Sequence, residues 1–254
     1  MVALAAFLTF DSTAADPRAA PAAVPACRAV VFENAPLTDC SADPAQDRIR
    51  IVVGPAGGKP YRSLAVFAAA RPRTASPVRF AMNAGMFGED GRPIGYTVIG
   101  GKRVHPLNRA DAAGNFYLKP NGVFFGTGGQ WQVLSTAAFA DSVHKRPGFA
   151  TQSGPMLVIG GQLHPQIAPD GPSRKIRNGV GVDAAGRAHF VISEAPISFG
   201  KLARYYRDVI KAPNALFLDG TVSQLWDPAT KRMDSGPPLG PLVVVERVAA
   251  RHGS

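Results

Sequence analysis

The sequence predicts an α+β fold: one domain with a mixed, twisted β-sheet built from hairpins and two or three flanking helices. Three observations predict it. Glycine and proline are abundant, 27 and 23 of 254 residues, which favours turns and short strands over long helices. Apolar runs of strand length recur between Gly-containing turns, and few stretches carry helical spacing. The order polar-ended strand, two hairpins, helix, strand is readable twice, which points to an internal duplication or to two ordinary sets of hairpin turns. A chain that is 46% hydrophobic and 18% charged has enough apolar surface to bury a core.

Residues 1–10 are apolar and 12–23 are rich in small residues, resembling the end of a secretory signal without its basic start. The expected division is a signal-like segment over 1–25 and a domain over 26–248. The only cysteines, Cys27 and Cys40, match no metal motif. In an exported protein they are expected to form a disulfide. Strands are predicted over 27–32 and 48–53, separated by an Asp/Pro-rich loop. A short helix follows over 63–70, stopped by Pro72, then a strand over 78–82. Gly100-Gly101 centres one hairpin, and a second joins 121–125 to 131–134. A weak helix is predicted over 137–144.

The series then restarts. Residues 149–154 form a strand and polar loop, and Gly160-Gly161 centres a hairpin echoing Gly100-Gly101. Residues 177–182 and 188–193 form the next hairpin. Phe199, Leu202, Ala203, Tyr206, Val209 and Ile210 mark one face of a helix that Ser198 can cap. A strand over 215–218 follows, then a polar loop after 227 and a last strand over 241–245. The tail, 249–254, is expected to fray. No stretch is long and apolar enough to span a bilayer. The net charge is +10, but no Lys/Arg run exceeds two and no nucleic-acid motif appears. An anionic small-molecule or glycan partner suits the charge better than nucleic acid.

Three strands end in a polar residue and then a glycine: Asn83-Ala84-Gly85, Gln152-Ser153-Gly154 and Asp219-Gly220. If the duplication holds, these ends face one cleft. Asp219 follows an apolar run, where a carboxylate is costly unless paired or used. Its plain alternative is a turn cap. The amides of Asn83 and Gln152 bind ligand or satisfy their own loops. Asn121 and Asn178 precede glycine, as hairpin residues do. Glu194 is the best second carboxylate, or else a surface residue. His105 and His164 occupy matching His-Pro pairs with no carboxylate cluster beside them, so structural roles are expected and no metal or cofactor.

Five stretches together carry a resemblance: 80–87 around Asn83, 114–125 around Asn121, 151–158 around Ser153, 176–182 around Arg177, and 215–220 ending on Asp219-Gly220. In that order they resemble the phosphodiester glycosidase family. Asn178-Gly179 matches its bacterial branch; another branch has a glycine run and a serine where this chain has Asp219-Gly-Thr-Val-Ser223. The resemblance implies an exported, periplasmic or secreted hydrolase acting on a glycosyl phosphodiester, small or polymeric. Its expected catalytic residues are Asp219 and Arg177. Its expected substrate-binding residues are Asn83, Gly85, Gln152, Ser153, Asn178 and Gly220. The chemistry agrees with this set. A sugar 1-phosphodiester already carries a weakly basic leaving group, so it needs donors and positive charge more than a general acid. A guanidinium such as Arg177 suits a phosphate clamp. The rivals are a non-catalytic module for anionic glycans or phosphate, and a metal-dependent phosphodiesterase, which needs several converging ligands.

Overall fold

The computed structural model describes residues 25–248; residues 1–24 of the signal-like segment and the tail 249–254, with the expectations made for them, lie outside the described residues. The fold is α+β, as expected, but its strands divide among three sheets, and every strand pairing is antiparallel. Local hairpins supply part of this pairing and are antiparallel by construction; the rest joins strands distant in the chain.

Ahead of the first unit, which begins at residue 97, β1 (Cys27–Phe32) and β2 (Ala35–Ala42) form a hairpin added to the edge of a larger sheet. Next come β3 (Asp47–Val52), α1 (Leu64–Ala69) and β4 (Val78–Asn83). The hairpin β5 (Thr97–Ile99) and β6 (Lys102–His105) precedes the hairpin β7 (Gly122–Thr127) and β8 (Gln130–Ser135). Helix α2 (Thr136–Ser142) then leads into β9 (Phe149–Ser153), which inserts between the two hairpins in the order β6-β5-β9-β7-β8.

The second unit repeats this plan with β10 (Met156–Ile159), β11 (Gln162–Leu163), β12 (Asn178–Val182), β13 (Ala188–Ser193), α3 (Phe199–Arg204) and β14 (Ala215–Phe217). Its order is β11-β10-β14-β12-β13, extended by β2 and β1. The helix predicted as one over 199–210 changes to a π turn at Tyr205–Ile210. The two Gly-Gly turns share a conformation, with φ +55° and +78° at Gly100-Gly101 and +54° and +78° at Gly160-Gly161. These are values that glycine adopts without steric cost.

A third unit has the same order, β16-β15-β4-β17-β3, using β15 (Leu225–Asp227), β16 (Arg232–Met233) and β17 (Leu242–Arg247). The repeat read twice in sequence therefore occurs three times. In the third copy no short hairpin loop joins β17 to β3: β3 precedes the other two copies in the chain and β17 follows them. The sequence reading missed β15 and β16, which are too short to show a period. It also took β2 for a loop, because Pro36 and Asp39 disguise its alternation.

Each sheet turns one face inward and has a helix over the other. Phe80, Phe124 and Phe190, one from each sheet, are fully buried and meet edge-on, with ring centroids 5.5 and 5.6 Å apart. Outside, Phe67 of α1, Phe139 of α2 and Leu202 of α3 each pack on their own sheet. The three helices start alike: the hydroxyls of Ser63, Ser135 and Ser198 each accept the backbone N–H three residues on. Cys27 and Cys40 are joined in a disulfide across β1 and β2.

One buried ionic group ties β1 and β2 to the second unit. Asp39 accepts from Arg28 and meets His189 Nδ1, both at 3.0 Å, and accepts from the Tyr205 hydroxyl at 3.2 Å. Burial pushes the Asp39 carboxyl up, but His189 and Arg28 outweigh burial and hold it below its ordinary value. Its stabilising effect is therefore present above the ordinary carboxylate range and lost as pH falls through the depressed pKa. Asp39→Ala is expected to cost about 3 kcal/mol at neutral pH, because it strands His189 and Tyr205. Denaturant melts of both proteins at neutral and acid pH check this; the gap should close as the pH falls.

A candidate active site at the strand ends

β4, β9 and β14 are the central strands of their five-stranded repeats. Asn83, Gln152-Ser153 and Asp219 lie at their C-terminal ends, at matching places in the three units. The tightest link joins the third unit to the second. Asn178 Nδ2 donates to Asn83 Oδ1 at 3.0 Å and to the Asn83 carbonyl at 3.2 Å. Asn83 Nδ2 donates to the Asp219 carbonyl at 2.8 Å, and Asn83 Oδ1 also accepts the Gln224 N–H at 3.0 Å. The Ser223 hydroxyl is shared between Asn178 Oδ1 and the Gly220 carbonyl, at 3.2 and 3.1 Å. Both asparagines are buried. Their amides hold the 219–224 turn in place and are occupied by protein groups.

The first unit joins more simply. The Gly85 N–H donates to Thr151 Oγ1 at 3.1 Å. A Cβ on Gly85 would lie 2.3 Å from the Gln152 carbonyl oxygen, so only glycine lets these strand ends approach. A Cβ on Gly220 would lie 2.7 Å from the Phe217 ring. The Gln152 side chain turns away from the asparagines. Its Oε1 accepts the N–H groups of Tyr96 and Asn108, and its Nε2 donates to the Asn108 carbonyl and Thr136 Oγ1. Its hydrogen-bonding capacity is spent on clamping the 94–108 loop. Ser153 is fully buried, and its hydroxyl has no partner among the described residues.

Arg177 stands just before β12. The pairing of Gly179 with Phe217 continues through the Leu218 N–H to Asn178 carbonyl bond. Two residues along that register, Arg177 lies opposite Asp219 on the neighbouring strand. The guanidinium is 2% exposed. It stacks on Phe199 at 3.6 Å, with Phe217 at 5.6 Å. Nε donates to the Ile197 carbonyl at 2.9 Å, and Nη2 to the Ser173 carbonyl and hydroxyl at 2.9 and 3.1 Å. Among the described residues no carboxylate pairs with it, and Nη1 has no partner. Burial lowers its pKa to about 10, so it stays charged at neutral pH. Asp219 is its counterpart in sign and in isolation. Burial pushes the carboxyl above its ordinary value, offset in part by the Thr221 N–H.

Beside this turn opens a cavity of about 440 Å³ lined by Ile176, Ser193, Glu194, Ser223, Arg232 and Asp234, among others. Arg232 donates from Nη1 to Glu194 at 2.6 Å, and from Nε and Nη2 to the two oxygens of Asp234 at 2.9 and 2.8 Å. Sequence reasoning singled out Glu194 but missed Arg232 and Asp234, which sit in what it read as a polar loop. It also missed Ser173, Ser223 and Gln224; no sequence pattern marks them. His105 and His164 do occupy similar places, at the end of β6 and just after β11, one touching the Pro106 carbonyl and the other buried. Among the described residues no group of three or more His, Cys, Asp or Glu side chains converges to hold a metal ion.

Comparison with known proteins bears on this arrangement. Residues 76–231 match the family described as phosphodiester glycosidase, a span that includes Asn83, Gln152, Arg177 and Asp219. This chain belongs to the phosphodiester glycosidase family. It is 34% identical over 184 residues to the uncharacterized protein YigE of Escherichia coli (strain K12), covering 72% of this chain and 71% of that protein. Among solved structures it is similar to the catalytic domain of zebrafish N-acetylglucosamine-1-phosphodiester alpha-N-acetylglucosaminidase, auto-inhibited by its pro-peptide. That match has a TM-score of 0.56 at 14% identity and covers 87% of this chain and 81% of that one. A hypothetical protein from Synechocystis matches with a TM-score of 0.55 at 14% identity, over 87% of this chain and 61% of that one. At such identities the structural matches show a shared fold.

In this phosphodiester glycosidase family member, Asp219 has a raised carboxyl pKa, so its ionisation opposes folding. The penalty is absent below the ordinary carboxylate range, where both states are protonated, and grows as pH rises through it. Asp219→Asn is therefore expected to melt higher than the parent at about pH 8 and at the same temperature at about pH 3. Thermal melts at the two pH values check the sign.

Proposed function

We propose that residues 26–248 form an exported hydrolase that cleaves the glycosidic C–O bond of a sugar 1-phosphodiester. The observation that carries the reading is Arg177: a buried guanidinium, stacked on Phe199, with no carboxylate partner and with Nη1 unoccupied. A buried cation without an anion is costly to the fold. A phosphate oxygen at Nη1 would supply the missing charge, and the carbonyls of Ile197 and Ser173 already fix the donor's direction.

Asp219, opposite in the register, then lies on the sugar side. Its raised pKa brings the carboxylate closer to the pH at which a base both exists and accepts a proton. Asp219 takes a proton from water as the water oxygen bonds to the anomeric carbon. The bond from that carbon to the bridging oxygen breaks, and its electrons leave with the phosphate monoester, whose charge Arg177 stabilises. The leaving group is weakly basic, so no general acid is required. Asn83, Asn178 and Ser223 act indirectly by fixing the turn that carries Asp219. The disulfide between Cys27 and Cys40 supports export, since such bonds persist in oxidising compartments.

Hydrolysis of sugar 1-phosphodiesters in oxygen-18 water tests the bond assignment. Label is expected on the anomeric hydroxyl. Label on phosphate would mean P–O cleavage. Binding without turnover across the panel would favour a module that binds anionic glycans through Arg177. Asp219→Ala is expected to lower kcat by about 10³-fold or more. Arg177→Lys, which keeps the charge but loses the fork, is expected to lower kcat/KM by about 10²-fold.

A further inference from the structure

The cavity beside Ser223 differs in sign from the surroundings of the Arg177 guanidinium. Its ionisable lining is Glu194, Arg232 and Asp234, one cation against two carboxylates. Arg232 is engaged by both acids, so it has little left for a ligand anion. Thr38 fixes Glu194 further, donating to Oε1 at 2.6 Å. The carboxylates are thus held in place yet partly open, with side chains 35% and 27% exposed. Ser193, which also lines the cavity, is 1% exposed. Its hydroxyl accepts the Arg177 N–H at 2.9 Å, and its own proton has no acceptor among the described residues. The cavity therefore offers fixed acceptors, one buried spare donor, and a field that repels anions.

We infer that this cavity is the glycosyl subsite, and that it selects an uncharged, hydroxyl-rich sugar over an acidic one. Glu194 and Asp234 accept from sugar hydroxyls, and the Ser193 hydroxyl donates to one. The inference rests on the hydrolase reading for its orientation: phosphate toward Arg177, sugar toward Glu194 and Asp234, and the anomeric carbon near Asp219. The opposite charges of the two ends prevent a phosphodiester from binding backwards. A hexose carboxylate would meet two fixed carboxylates and bind poorly.

The test is binding, which needs no turnover. Methyl glucoside and methyl glucuronide are titrated against isotopically labelled protein, and backbone amide shifts are followed by NMR. Methyl glucoside is expected to move the amides of Ser193, Glu194, Ser223 and Asp234, and methyl glucuronide to bind about tenfold more weakly. Glu194→Gln and Asp234→Asn keep the shape and remove a charge, and each is expected to narrow that difference. Two variants are used so that one misfolding, visible in the spectrum, leaves the other decisive. Shifts confined to other residues, or equal affinity for both sugars, would overturn the inference. Sugar binding here with no hydrolysis of any phosphodiester would sink the hydrolase reading and leave the subsite. Hydrolysis with no shifts at these amides would do the reverse.

Discussion

The reciprocal amide pair of Asn83 and Asn178 is the interaction on which the site depends. It joins the last residue of one sheet's central strand to the first residue of a strand in another sheet. Because Asn83 also holds the Asp219 carbonyl and the Gln224 N–H, a shift of either sheet would move the turn that carries Asp219. The pair is fully buried, where an unmatched amide is costly. The arrangement therefore tolerates few geometries, and that rigidity positions the carboxylate more firmly than a solvent-facing loop could.

Arg177 and Asp219 show the cost of such a site. Each is a charge drawn wholly or partly out of water with no oppositely charged side chain paired to it among the described residues. Placed in contact they would neutralise each other, and the guanidinium would lose the capacity to take a phosphate. The fold keeps them apart by drawing the guanidinium toward Ser173, Ile197 and the Phe199 ring.

Much of this was legible in sequence, for identifiable reasons. Strand ends marked by a polar residue and a glycine are local signals, so Asn83, Asp219 and both Gly-Gly hairpins could be placed without knowing the topology. Arg177 was found from the family resemblance of residues 176–182 and its place beside Asn178-Gly179. The role of Gln152 was not legible. It carries the same signal as Asn83, but its side chain serves a loop some 45 residues away. Arg232 and Asp234 were invisible because a two-residue strand leaves no period to read. The third repeat was hidden because β3 and β4 precede the other two in the chain and β15, β16 and β17 follow them.

That split repeat has a consequence for how the protein is made. β17 lies between β4 and β3, so these two early strands are not joined until β17 has been made. The first and second repeats draw all five of their strands from continuous stretches and can assemble as they emerge. The third must wait for β17, which follows both other repeats in the chain. Asn83, at the end of β4, waits with it. The site is thus completed only after β17 has been made, and a chain cut short before β17 carries Arg177 and Asp219 on a frame that has not closed.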